Sequence, residues 1–205
     1  MTTLGSVGAI AALPELDWSG RVVIGIAGSP GAGKSTVGAE LVAHLGATAV
    51  LLPMDGYHYS QSRLVELGRR DRMGAPDTFD VDAFVDTLTA VRLAHATVLA
   101  RGFDRSVEEP VADAIVIPRD IRFVIVEGNY LLLDSGGWQR VRPLLDVCLF
   151  VSVEPDIRRG RLIDRHERFG KSPADAAAWA LGPDESNARL IEPTAARADY
   201  LVALA

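Results

Sequence analysis

One cysteine in 205 residues is too few for a disulfide within the chain, so the fold has to hold without one. That residue, Cys148, sits inside the apolar run DVCLFVSV (146–153), where a buried core thiol is expected, and its solitude suits a reducing compartment. Positive charge is also scarce. Lys and Arg number 21 against 27 Asp and Glu, giving a net charge of -6 and a pI of about 5.2. That balance is the reverse of a nucleic-acid binder's basic footprint, so no nucleic-acid partner is expected. The opening MTTLGSVGAIAALPEL has no basic start and carries Pro14 and Glu15, which excludes a secretory signal from the reading. Hydrophobic residues at 48% and charged residues at 23% match an ordinary globular domain, leaving disorder and a membrane span without support. There is no internal repeat, low-complexity tract or long linker. The expectation is one cytoplasmic domain over 1–205, with residues 1–20 as an N-terminal extension and no membrane partner. Its oligomeric state is left open, a homodimer included.

What is present has a clear order. Residues 21–27 (RVVIGIA), 49–53 (AVLLP), 122–127 (RFVIVE), 146–153 (DVCLFVSV) and 198–204 (ADYLVAL) are short apolar runs. Such runs suit strands buried on both faces of a parallel sheet. Between them, 35–45 and 81–95 carry apolar residues at helical spacing, 156–169 reads as a charged helix, and 174–181 and 187–191 are helical. Residues 63–77 are polar and punctuated by glycine and proline, with room for one short helix, and 100–118 reads as a loop with a strand or hairpin. Strands alternating with helices imply βαβ units, hence an α/β fold with a parallel sheet of about five strands.

Gly28–Ser35 reads GSPGAGKS and fits G-x-x-x-x-G-K-[ST] at every specified position, after an apolar strand and at a helix start. Glycines let backbone N–H groups turn inward around phosphate oxygens, and the helix terminus adds positive potential. Gly28, Ser29, Pro30, Gly31, Ala32, Gly33, Lys34, Ser35 and Thr36 are therefore expected to hold the phosphates of ATP. Lys34 supplies charge to the outer phosphates, and Ser35 is a magnesium ligand. Glu127, at the tip of the strand RFVIVE, is the expected carboxylate partner of Mg²⁺.

The acceptor side rests on other features. MDGYHYS (54–60) puts Asp55 directly after an apolar strand, where open α/β sheets bind their ligands, and Gly56 is expected to make the turn. An aspartate there can take the proton of an attacking alcohol. Tyr57 and His58, with Asp77 and Asp80 of GAPDTFD (74–80), are candidate acceptor contacts. Arg158, Arg161, Arg165 and Arg168 recur at spacings of three, four and three and share one helical face, suited to phosphate oxygens. Trp138 and Trp179 read as core. An Asn-Lys-x-Asp box for guanine is missing, which disfavours a GTPase switch. An ATP-binding switch or accessory module, linked to sugar transport, stays as the second reading.

The segments GSPGAGKST, MDGYHY, GAPDTFD, FDR (103–105), VEGNYLLLD, RLIDRHERFG and NARLIEPTAARADYLV resemble the uridine kinase, phosphoribulokinase and bacterial pantothenate kinase group of P-loop kinases. They follow that group's order from Arg21 to the end of the chain, and VEGNYLLLD and NARLIEPT are similar to its small bacterial nucleoside/nucleotide kinase and fructose transport system kinase branch. The resemblance implies Asp55 as the base, Glu127 beside magnesium, and Arg161 and Arg165 in a lid at about 156–171. It places Asp77, Asp80 and Arg105 on the acceptor side. Two departures bear on the substrate. Phe103 stands where uridine kinases have a tyrosine, with no histidine following, and the chain is shorter than pantothenate kinase.

Overall fold

The computed structural model describes residues 2–4 and 20–204. In chain order the elements are β1 (Thr2–Leu4), β2 (Val22–Ala27), α1 (Lys34–Leu45), β3 (Ala49–Pro53), α2 (Gln61–Glu66), α3 (Val81–Leu93), β4 (Val98–Asp104) and β5 (Glu109–Ile117). There follow β6 (Phe123–Glu127), β7 (Val147–Val153), α4 (Pro155–Arg168), α5 (Pro173–Leu181), α6 (Pro183–Ile191) and β8 (Tyr200–Leu204). One sheet takes six strands in the order β1-β8-β7-β2-β6-β3, all parallel. Five of these are the expected strands. The sixth, β1, comes from the segment read as an extension and pairs Thr2 with Tyr200 and Leu4 with Val202 at the sheet edge. The remainder of that segment, 5–19, lies outside the described residues.

Strand alternation builds two cores. Along β2, Val23 and Ala27 point to one face with Leu52, Val124, Val126 and Phe150, where α3 covers them through Phe84, Leu88 and Val91. Ile24 and Ile26 point to the other face with Ile125, Leu149 and Val151, under Val37 and Leu41 of α1. These helix positions are three and four apart, so each helix presents one apolar stripe to the sheet. Trp138 belongs to the first core, 1% exposed, with its indole N–H donating to the carbonyl of Pro76 at 3.2 Å. Cys148 is buried there as well.

The stretch 100–118 resolves as the antiparallel hairpin β4–β5, outside the main sheet. Ala100 and Ile117 turn inward while the cross-strand pair Leu99 and Val116 is exposed. Helices α4, α5 and α6 follow β7 and pack on one another. Among the described residues no helix is long and apolar enough to cross a membrane.

Candidate active site

In the sheet, β6 lies between β2 and β3, so the chain leaves β2 and returns one strand away. That crossover opens a crevice above the carboxyl ends of the strands, where α/β sheets bind ligands. The phosphate-loop residues leave from the end of β2. Gly33, the residue before α1, has φ of 101°, a left-handed conformation that favours glycine. No side chain caps α1 and its first turn holds no acid, so its backbone N–H groups are open to an anion.

Lys34 is buried beneath that loop, its Nζ donating to the Ser29 carbonyl at 3.0 Å. Burial lowers its pKa to about 8, further helped by Arg165 and Arg105, while Glu127 and Asp55 pull the other way. Next to it, Ser35 Oγ donates to both carboxylate oxygens of Glu127, at 2.9 and 3.1 Å. Glu127 is the last residue of β6 and pairs in register with Ile26 of β2 and Pro53 of β3. Its carboxyl is pushed above the usual range by burial and by Asp55, against the pull of Lys34. A buried carboxylate held this way gains from any added cation. A serine hydroxyl and one carboxylate, with room for phosphate oxygens and water, fit the hard-oxygen chemistry of Mg²⁺. Among the described residues, no group of three or more His, Cys, Asp or Glu is placed to hold a metal ion alone.

Asp55 follows β3 in a 3-10 turn over Met54–Tyr57. Burial opposes its ionisation, but His58, Arg105, Lys34 and Arg165 together hold its carboxyl below the ordinary value. Oδ2 accepts a hydrogen bond from Arg105, which comes from the turn of the β4–β5 hairpin. The expected glycine turn has a different cause. Gly56 is in the turn, but a Cβ there would meet the Arg101 carbonyl at 2.3 Å. The hairpin backbone lies against it, and only glycine lets Arg105 come this close to Asp55.

The sequence-derived acceptor residues divide. His58 borders the cleft, its ring packed at a tilt against Phe79 and Phe103 at centroid distances of 3.9 and 4.9 Å. Arg105 borders it too. Tyr57 does not: it is 1% exposed and packs on Phe84 in the core. Asp77 pairs with Arg69 and Arg72 in its own loop and stays off the cleft. Asp80 caps α3, accepting from Ala83 N at 3.1 Å, and its other oxygen pairs with Arg101. GAPDTFD still shapes the site through its backbone, because Tyr130 and Asn187 both donate to the Gly74 carbonyl.

The four arginines of α4 part company. Arg165 lines the cleft, and burial lowers its pKa although Asp184, Asp55 and Glu127 favour its charge. Arg161 reaches over the phosphate loop, its Nη1 3.6 Å from where a Cβ on Gly33 would stand. Arg158 is instead buried and donates to Glu185 of α6, while Arg168 is exposed. The four share a face of α4, as their spacing implies, but along it Arg158 meets α6, Arg165 meets the cleft and Arg168 meets solvent.

Several cleft residues escape a reading by motif. Trp179, expected in the core, lines the cleft, with Lys171 Nζ 4.6 Å above its ring. Arg70, Asn187, His166 and Asp184 line it as well. His166 and Asp184, 2.7 Å apart, join α4 to α6. These residues lie in segments whose spacing says helix or loop and nothing about which face meets the cleft.

A family model described as "Phosphoribulokinase / Uridine kinase family" matches residues 23–204. A protein of Schizosaccharomyces pombe described as a candidate uridine kinase is 38% identical over 159 residues, 71% of this chain and 66% of that protein. YggC of Escherichia coli, described as uncharacterized, is 33% identical over 199 residues, 94% of this chain and 82% of its own length. Among solved structures, a candidate fructose transport system kinase from Silicibacter sp. TM1040 has 34% identity and a TM-score of 0.86, covering 96% of this chain and 98% of its own.

Proposed function

Because the chain belongs to the phosphoribulokinase / uridine kinase family of P-loop phosphotransferases, we propose that it moves the γ-phosphoryl group of ATP onto a hydroxyl of a small metabolite. Nucleosides, sugars and pantothenate-like alcohols are the acceptor classes. One observation carries the reading: Lys34, Ser35, Glu127 and Asp55 line a single cleft above neighbouring strands.

The open N–H groups of α1 and the ammonium of Lys34 hold the triphosphate. Ser35 and Glu127 would hold Mg²⁺, which would supply positive charge against the phosphate oxygens. Asp55, oriented by Arg105 through Oδ2, accepts the proton of the acceptor hydroxyl as its oxygen bonds to the γ-phosphorus. The bond from that phosphorus to the bridging oxygen breaks, and its electron pair leaves with ADP. Arg161 and Arg165 approach from α4 and balance the negative charge in transit. An accessory ATP switch needs no second wall, whereas His58, Phe79, Phe103 and Arg105 form one beside Asp55.

The reading is tested by ADP release from Mg-ATP across nucleosides, sugars and vitamin-like alcohols. Release that requires one added alcohol, with a phosphorylated product, is expected. Release independent of any acceptor, or tight ATP binding without turnover, contradicts it.

A further inference from the structure

Two neighbouring carboxylates of α6 hold α4. Glu185 accepts from Arg158 and Arg159, and Asp184 Oδ2 accepts from Nε2 of His166 at 2.7 Å. The two ties sit roughly two helical turns apart along α4, so α6 sets both where that helix lies and how it is rotated. α6 is itself anchored, because Asn187, one turn beyond Asp184, donates to the Gly74 carbonyl at 3.2 Å. The two carboxylates differ in what they face. Glu185 stays out of the cleft, whereas Asp184 lines it together with Arg165 and His166.

A carboxylate is a costly lining for a cleft that takes a triphosphate. Asp184 is 7% exposed, and at that depth a negative charge needs positive charge within reach. Arg165 is the guanidinium that shares its wall, and it makes no hydrogen bond or ion pair among the described residues. Burial works against the charge of Arg165; Asp184 does most to favour it, ahead of Asp55 and Glu127. A long side chain with no direct bond has many rotamers open to it. The field of a fixed carboxylate on the same wall narrows that choice and leaves the guanidinium N–H groups open to phosphate oxygens. Resting on the proposed phosphoryl transfer, we infer that Asp184 is a positioning residue: seated on α6 and locked by His166, its carboxylate keeps the guanidinium of Arg165 in the cleft for the phosphoryl group in transit.

Asp184→Asn keeps the shape and the hydrogen bond to His166 while removing the charge. With a working acceptor, kcat is expected to fall about 10- to 100-fold, the scale of a displaced catalytic group, and ATP affinity to stay nearly unchanged. In an Arg165→Ala background the same substitution is expected to change kcat by less than about twofold, because a positioning effect vanishes with the group it positions. Where Arg165→Ala leaves too little turnover to compare, the affinity for ADP with aluminium fluoride, a mimic of the phosphoryl group in transit, is read in all four proteins in the same way. An equal loss in both backgrounds overturns the inference and gives Asp184 a contact of its own. An unchanged kcat in Asp184→Asn overturns it outright, and a matching loss of ATP affinity reduces Asp184 to a structural tie and overturns it as well. Absence of acceptor-dependent ADP release from the wild type is a separate result that overturns the kinase reading together with this one.

Discussion

Lys34 carries the sharpest prediction at the scale of single residues. Its folded pKa of about 8 lies below the 10.5 of a free lysine. Between those values the folded protein binds fewer protons at this site than the unfolded chain, so the fold gains stability as pH rises through that window. Triphosphate binding has the opposite sign, because phosphate oxygens need the ammonium. ATP affinity is expected to fall above pH 8 by up to about tenfold per unit, the limit for one proton taken up on binding. Titration of ATP affinity from pH 6.5 to 9.5 checks this. The bend near pH 8 disappears in Lys34→Ala, and a bend that persists there belongs to another group. The neighbouring residues show why a motif is read more easily than a pocket. GSPGAGKS announces Lys34 and Ser35 because phosphate binding is done by backbone at fixed spacing. Tyr57 and His58 are adjacent in sequence, yet one enters the core and the other borders the cleft, a choice made by Phe84 on one side and Phe79 on the other.

Between elements, the position of α4 decides whether its arginines reach the phosphates. Glu185 of α6 takes hydrogen bonds from both Arg159 and Arg158. Arg159 first, then Arg158, hold its carboxyl down to about 2. A depressed carboxylate contributes stability above its unfolded pKa and loses it only as pH falls through the folded one, so this tie stays intact in mildly acid solution. Arg158 is 3% exposed at its side chain, so Glu185→Ala leaves a buried guanidinium without its partner. Urea unfolding is expected to show a loss of about 3 kcal/mol, the cost of breaking a buried pair. A loss within about 0.5 kcal/mol would place the pair in solvent instead. The sequence displays α4 as a basic helix, but its spacing cannot tell that Arg158 belongs to α6 and Arg165 to the cleft. The β4–β5 hairpin is only partly legible: 100–118 reads as a loop with a strand or hairpin, and the structure makes two paired strands of it. Its register shifts between Ala100 and Gly102, and that irregularity blurs the alternation by which strands are recognised.

For the molecule as a whole, the sheet was legible because its five inner and adjoining strands are apolar on both faces, which leaves few other structures for them. β1 was not: three residues, Thr2–Leu4, hold their place by pairing with β8 at the far end of the chain, and no local pattern records a partner so distant. Charge tells the same story at this scale. The chain is acidic overall, with a net charge of -6, while Lys34, Arg105, Arg165, Arg70 and Lys171 line one cleft and slightly outnumber its carboxylates Asp55, Glu108, Glu127 and Asp184. A composition average cannot show that concentration, which suits a phosphorylated ligand within an acidic protein. The proposed phosphoryl transfer depends most on Asp55 as the proton acceptor. Turnover of Asp55→Asn with a working acceptor, measured beside its ATP affinity, addresses this directly. The expected result is a fall in turnover of roughly 10²–10⁴ with ATP binding nearly unchanged. Undiminished turnover in Asp55→Asn would contradict it.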